Sequence, residues 1–367
     1  MTYNWQHEDW PQFEFHADAI DDIALDFASE TGEVKGIMDS LSVEFQQETI
    51  IHFMIDEAIK TSEIEGEFYS RKDVMSSIKN RLGISGIERI RDINAKGIAE
   101  LMVEVRQQFK NPLTEELIKA WHKILFPDSR LIRGGHYRKG AEPMLIVSGR
   151  FGREIIHYEA PPSDRVPSEM EHFVTWYNQQ LVQLKDLKGG LIKTAIGHLY
   201  FESIHPFEDG NGRIGRAIAE KCLSESLGRP LIMSLSTTIE RNKKSYYDAL
   251  KAAQQSLDIT DWILYFTETI LEAQKEAKEI IRFTLDKTKF LDKYKPALNE
   301  RQMKVLLKIL ESGIDGFEGR MTAKKYMSIT RTSKATATRD LQDLVDKGAF
   351  KPKGAGRGVH YELNMIN

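Results

Sequence analysis

The chain has 367 residues, and 51 Lys and Arg against 55 Asp and Glu give a formal net charge of −4. At roughly 150 residues per domain this length suggests two or three domains, and 41% hydrophobic with 29% charged residues is ordinary globular usage, which excludes a disordered or fibrous chain. No window approaches the ~20 apolar residues of a membrane span, the opening Met1-Thr2-Tyr3-Asn4-Trp5-Gln6 lacks signal-peptide regions, and the single cysteine, Cys222, excludes an internal disulfide or a multi-cysteine zinc site, so a soluble protein of a reducing, cytoplasmic compartment is expected.

Residues 1–30 mix Trp5, Trp10, Phe13, Phe15 and Phe27 with many acids, as a segment would that packs its aromatics on the body. Residues 42–65 carry apolar side chains at three- and four-residue steps and read as a helix, with Gly66 as its stop. Helical patterns follow at 71–82, 88–109 and 114–125, the last with Thr114-Glu115-Glu116 as its start. Met144-Leu145-Ile146-Val147 and Ile155-Ile156-His157-Tyr158, separated by a Gly-containing stretch, signal a hairpin over about 143–158. Helical patterns resume at 167–185, 190–204, 213–227, 243–256 and 259–290, and Lys295-Pro296 is a plausible boundary. Beyond it, from 297 to 367, thirteen Lys and Arg against eight Asp and Glu leave +5, so the remainder carries −9.

The informative stretch is His205-Pro206-Phe207-Glu208-Asp209-Gly210-Asn211-Gly212-Arg213-Ile214-Gly215-Arg216, lying between two helical patterns. A Gly-Asn-Gly turn entering a helix N-terminus brings backbone N–H groups and the positive dipole end to one place, which suits phosphate. Asp209 offers a hard oxygen for Mg²⁺, which binds through one or two carboxylates plus substrate phosphates. Arg213 and Arg216 share roughly one helix face, and their planar forks suit phosphate oxygens. His205 is the nearby group whose unperturbed pKa suits proton abstraction near neutral pH.

This stretch resembles the signature of the Fic family, His-x-Phe-x-(Asp/Glu)-Gly-Asn-Gly-Arg-x-x-Arg, at every fixed position. The resemblance implies transfer of AMP from ATP to a hydroxyl side chain of a protein, with release of pyrophosphate. His205 would take the proton from the attacking hydroxyl, and Phe207 would pack under the loop. Asp209 would hold Mg²⁺; Asn211 with the Gly210 and Gly212 amides would bind the α- and β-phosphates. Arg213 would face the β-phosphate and Arg216 the γ-phosphate. The 143–158 hairpin stands where the family has a flap that pairs with a target segment; otherwise it is a structural hairpin. Tyr246 and Tyr247, on the helix that follows the motif helix, are candidates for the adenine side or for the core. Cys222 lies two to three turns beyond the loop and reads as core.

Glu65 falls in the last turn of a helix, where a carboxylate opposes the macrodipole and gains from a cationic partner. Thr61-Ser62-Glu63-Ile64-Glu65-Gly66 resembles the inhibitory motif of the same family, (Ser/Thr)-x-x-x-Glu-(Gly/Asn), which implies that Glu65 pairs with Arg216 and occupies the γ-phosphate site. Some relatives use the same Glu to position water for AMP removal, so the reverse reaction, or both, stays open.

Residues 297–367 read as three helices and a hairpin and resemble a winged helix-turn-helix. Lys334, Thr336, Thr338 and Arg339 would lie on the recognition helix, with Lys353 and Arg357 on the wing. DNA binding and protein contact are both open. The expected fold is mainly α: an N-terminal helical region carrying the inhibitory helix (1–110), a Fic catalytic domain with its β-hairpin flap (111–295) and a winged helix-turn-helix domain (296–367). The expected function is protein adenylyltransfer, with AMP removal or a DNA-binding regulator that senses nucleotide as alternatives. The expected partners are ATP, a target protein on the flap and DNA, with no membrane; a homodimer is compatible with the sequence, which does not set the oligomeric state.

Overall fold

The computed structural model describes residues 2–84, 90–127, 132–148, 155–183, 186–310 and 320–365. The elements run α1 (Asp21–Ser40), α2 (Val43–Ile64), α3 (Arg71–Leu82), α4 (Ile93–Gln107), α5 (Glu115–Leu125), β1 (Leu145–Ser148), β2 (Ile155–Glu159), α6 (Val166–Gln183), α7 (Leu187–Ile204), α8 (Asn211–Leu227), α9 (Leu235–Arg241), α10 (Lys243–Ala253), α11 (Thr260–Tyr294), α12 (Glu300–Leu310), α13 (Ala323–Thr330), α14 (Lys334–Asp346), β3 (Phe350–Lys353) and β4 (His360–Leu363). The mainly helical expectation holds. Helices α1 and α9 were not expected: the acids and small residues of α1 dilute its apolar stripe of Ala24, Phe27, Val34 and Met38, all buried. The expected hairpin turn (149–154), the first residues of the 88–109 pattern and the end of the 167–185 pattern lie outside the described residues, as does the Arg357 side chain.

The chain divides into two compact units, one of residues 1–32 and 47–275, the other of 33–46 and 276–367. The division falls within α11 rather than at Lys295-Pro296.

In the first unit α7 is buried along nearly its whole length, from Gly189 to Ile204. A helix buried on all sides belongs in the middle of a fold, and α7 packs against α8. Glycines make the close approach: a Cβ on Gly190 would lie 2.3 Å from Ser226 Oγ, and one on Gly215 would lie 2.4 Å from Glu202 Oε1. Asp186 starts the helix by accepting the Gly189 N–H at 2.7 Å. Around this pair, α2, α4, α5 and α6 contribute Ile55, Ile98, Trp121 and Phe173 to one core, which also holds Phe201, Phe207, Ile214 and Cys222. Buried Cys222 fits its expected place in the core.

The N-terminal aromatics cover this body as expected. Trp5 donates to the Glu159 carbonyl at 2.7 Å. Tyr3 meets Tyr158 edge to face, and Tyr158 donates to the Ser203 carbonyl at 2.7 Å. The base of the β1–β2 hairpin is thereby fastened to the end of α7. The two strands are antiparallel, with Leu145 opposite Glu159 and a shift of register between Ile146 and Val147.

In the second unit, α12, α13, α14 and the antiparallel β3–β4 pair enclose Phe290, Val305, Leu306, Tyr326, Leu341, Leu344 and Phe350. Ser333 caps α14 and Thr322 caps α13. Asp340 accepts from Arg301 at 2.8 and 3.1 Å and from the Tyr326 hydroxyl at 2.9 Å.

Leu199 is fully buried on α7 and Leu25 is 71% exposed on α1. Leu199→Ala is expected to lower unfolding free energy by about 2–5 kcal/mol, and Leu25→Ala by less than about 0.5 kcal/mol. Urea titration followed by far-UV circular dichroism measures both.

Candidate functional site

The stretch from His205 to Arg216 forms the turn between α7 and α8. His205 closes α7 in a left-handed conformation, φ 49°, and Gly210, φ 81°, opens α8. Between them the loop is tied to itself. The Asn211 side chain accepts the Phe207 N–H and donates to the Phe207 carbonyl, both at 2.9 Å. Asn211 therefore braces the loop with its side chain at the start of α8. Phe207 is fully buried beneath the loop, as expected.

The positions of His205, Gly212, Arg216, Tyr246, Tyr247 and Glu65 converge on one cavity of about 540 Å³, which is also lined by Ile146 and Val147 of the hairpin, Glu202, Leu250 and Gln254. Asp209 and Arg213 are not among the residues that line it. Arg213 donates to Asp209 at 3.3 Å and to the Glu67 carboxylate. The two tyrosines part company. Tyr247 is partly exposed, whereas Tyr246 is buried and its hydroxyl lies 2.7 Å from His198 Nε2, so it is a core residue as much as a cavity wall.

Glu65 follows α2 directly, and the chain turns away at Gly66, φ 82°. Its carboxylate accepts from Arg216 at 2.7 Å, while Arg216 also donates from Nε to the Thr61 hydroxyl at 2.7 Å and to the Thr61 carbonyl at 2.8 Å. The expected grouping of Thr61, Glu65 and Arg216 is present. Burial works to raise the Glu65 pKa, but Arg216, with Arg213 and Lys243 behind it, holds it below the ordinary carboxylate range. A Cβ on Gly212 would lie 2.1 Å from Glu65 Oε1, so this carboxylate rests directly on the first turn of α8, where N–H groups and the helix dipole favour negative charge.

His205 has a side chain 17% exposed. Burial, helped by the positive charge of Arg138, pushes its pKa down to about 4, so the imidazole is neutral at pH 7 and has a nitrogen free to take a proton. Glu202 lies one turn back on α7, its Oε2 3.8 Å from His205 Nδ1. Burial, reinforced by the charge of Glu65, pushes the Glu202 pKa up to about 8.

Arg138, Glu202, Glu67 and His122 escaped the sequence reading. Arg138 donates to the His205 carbonyl at 2.8 Å and the Ile204 carbonyl at 3.2 Å, and its own N–H reaches the Pro206 carbonyl. Its sequence neighbourhood, Gly134-Gly135-His136-Tyr137-Arg138, signalled only a turn. Glu67 sits two residues beyond the recognised Glu65 and was within reach of the same argument from unpaired charge.

Among the described residues no three His, Cys, Asp or Glu side chains gather into a metal cluster. The chemistry that Mg²⁺ needs differs: Asp209 presents one hard carboxylate, half exposed beside the anion-favouring end of α8, and substrate phosphates complete such a site. Asp209 fits that donor role.

Residues 112–223 match the Fic/DOC family, and residues 3–84 match a domain of unknown function, DUF4172. A probable protein adenylyltransferase of Aquifex aeolicus is 27% identical over 210 residues, 57% of this chain and 58% of that protein. The protein adenylyltransferase Fic of Aedes aegypti is 25% identical over 209 residues, 56% of this chain and 38% of that protein. The chain thus spans less than two thirds of either relative. Among solved structures, a Fic family protein from Desulfovibrio desulfuricans covers 93% of this chain and 97% of its own at TM-score 0.51 and 18% identity. A Fic domain containing signaling protein from Bacteroides thetaiotaomicron covers 71% of this chain at TM-score 0.53 and 18% identity. The structures establish a mainly helical Fic fold, and the sequence matches support a Fic family protein. Among the described residues no helix is long and apolar enough to cross a membrane.

The raised pKa of Glu202 has a stability consequence. Between pH 6.5 and 8 the folded chain keeps a proton on Glu202 that the unfolded chain, with a carboxyl near 4.5, has released. Folding then binds more protons, and stability falls as pH rises. The urea midpoint is expected to drop from pH 6.5 to 8, and Glu202→Gln, neutral at both, is expected to flatten that drop.

Proposed function

We propose that this protein is an adenylyltransferase that moves AMP from ATP to a hydroxyl side chain of a protein, its own chain included, and that Glu65 holds it in an inhibited state. The observation that carries this reading is the carboxylate of Glu65 lying on the N-terminal turn of α8, beside Gly212 and bonded to Arg216, in a cavity that also holds His205. A negative group already occupies the place that the helix end offers to phosphate.

With Glu65 withdrawn, the N–H groups of the first turn of α8 would bind the α- and β-phosphates, and Arg213 and Arg216 the outer phosphates. Neutral His205 would take the proton of the incoming hydroxyl as its oxygen bonds to the α-phosphorus. The bond from the α-phosphorus to the bridging oxygen breaks, and pyrophosphate leaves. A magnesium ion on Asp209 would neutralise charge on the phosphates when bound. The base and sugar would fill the remainder of the cavity near Tyr247, Leu250 and Gln254. Val147 and Ile156 of the flap, 45% and 51% exposed, leave an apolar strand surface for a target segment.

Glu65→Gly is expected to raise AMP incorporation on the order of tenfold, the size of a typical coupling between sites, and Glu65→Gly with His205→Ala to abolish it while ATP still binds. Intact-mass analysis after incubation with ATP and Mg²⁺ reads both. Equal incorporation by wild type and Glu65→Gly would remove the brake, and transfer by the His205→Ala form would remove the base.

DNA contact by the second unit rests on Lys334, Thr338, Arg339 and Lys353, which are exposed on α14 and β3. The full chain is expected to shift duplex DNA at low salt and to release it as salt rises, because phosphate contacts exchange with counterions. Lys334→Glu with Arg339→Glu is expected to lose the shift; no shift by wild type at low salt overturns this part.

A further inference from the structure

His122 is fully buried on α5, and both of its ring nitrogens are engaged by backbone. The Gly135 N–H donates to Nδ1 at 2.8 Å, so that nitrogen carries no hydrogen. The ring hydrogen is therefore on Nε2, which lies 3.1 Å from the Asp209 carbonyl and donates to it. The ring lies flat on Phe207, with centroids 3.9 Å apart and planes 9° from parallel. One neutral tautomer thus bridges the Gly134-Gly135 turn to the outer side of the phosphate loop.

The loop needs such a hold at this point. Asn211 and Arg138 fasten its beginning, through Phe207, His205 and Pro206. The Asp209–Gly210 peptide comes after those ties: its N–H turns back onto the Asp209 carboxylate, which Arg213 also reaches at 3.3 Å, and its glycine has φ 81°, the residue type least able to restrain its neighbours. A Cβ on Gly210 would lie 2.7 Å from the Phe126 ring, so the end of α5 presses on the loop here without a polar tie of its own. His122 supplies that tie.

We propose that His122 is a positioning residue for phosphate and metal binding: by pinning the Asp209 carbonyl it sets the direction of the Asp209 carboxylate. This rests on the adenylyltransferase reading, in which that carboxylate meets Mg²⁺ and ATP. An apolar residue of similar size would keep the packing on Phe207 and leave the Asp209 carbonyl and Gly135 N–H without this partner. Glutamine restores a donor and an acceptor at about the reach of the two ring nitrogens. Asparagine keeps the acceptor for Gly135 and falls short of Asp209.

The test uses the full chain with Glu65→Gly, so that the cradle is open, and titration calorimetry with ATP in Mg²⁺ and in EDTA. Replacing a residue that orients a metal ligand typically costs about 10–100-fold in metal affinity. His122→Leu and His122→Asn are each expected to lose about tenfold or more of the affinity gain that Mg²⁺ gives, with ATP binding in EDTA near that of the parent. His122→Gln is expected to recover most of the gain. If His122→Leu does not fold, His122→Asn and His122→Gln carry the comparison. An undiminished Mg²⁺ gain in the Leu and Asn forms overturns the proposal, as does an equal loss in Mg²⁺ and EDTA that Gln does not rescue, which is the mark of packing alone. A parent that binds ATP but gains nothing from Mg²⁺ overturns the metal role of Asp209 and this proposal together; a parent that does not bind ATP overturns the adenylyltransferase reading itself.

Discussion

Arg216 is buried at the start of α8, and a guanidinium out of water needs partners that return what hydration supplied. Thr61 gives it a hydroxyl and a carbonyl, and Glu65 gives it a carboxylate. Burial alone would lower the Arg216 pKa, yet Glu65 and the nearby tyrosine hydroxyls hold it above its ordinary value. Much of the first unit is arranged around this one cation. The end of α2 is brought to the start of α8, and Gly66 turns the chain away at once. Gly212 leaves room for the carboxylate. Without Glu65 the guanidinium keeps the Thr61 hydroxyl and carbonyl and loses its anionic partner.

The same low-dielectric setting shapes the face of α7 below. His198, Glu202 and His205 lie one after another along it, and burial drives each toward its neutral form. The histidine pKa values fall to about 3 and about 4, and that of Glu202 rises to about 8. A neutral imidazole at physiological pH comes from burial and needs no special partner. His198 is tied to Tyr246 at 2.7 Å, while the Glu202 carboxylate stands 3.8 Å from the His205 ring.

The helix-loop-helix carrying His205 and Arg216, the α2 helix and the hairpin were legible because each depends on local pattern: apolar spacing of 3.6 or 2, and glycines where the chain must turn. Glu65 was legible because a short motif names it and because a carboxylate at a helix C-terminus is electrostatically out of place. His122 and Arg138 were not. Each acts across many residues of sequence, on the carbonyls of Asp209 and His205, and nothing in an amphipathic helix or a Gly-Gly turn announces a partner so far away. Asn211 was read as a phosphate-binding residue, and its side chain is bonded to the Phe207 backbone. Helix α1 was missed for a plainer reason, since its buried residues are spread thinly among acids and glycines.

Gly212 has a consequence for how such a chain can change over generations. The space above it admits a carboxylate now, and the same space is what a phosphate needs to reach the helix end. A methyl group there would stand 2.1 Å from the Glu65 oxygen and would crowd any anion in its place. In the reading proposed above, a side chain at position 212 that displaced Glu65 would also crowd the phosphate. In the same reading, a change on α2 or in the turn that follows it removes the Glu65 carboxylate and leaves the glycine surface beneath it intact.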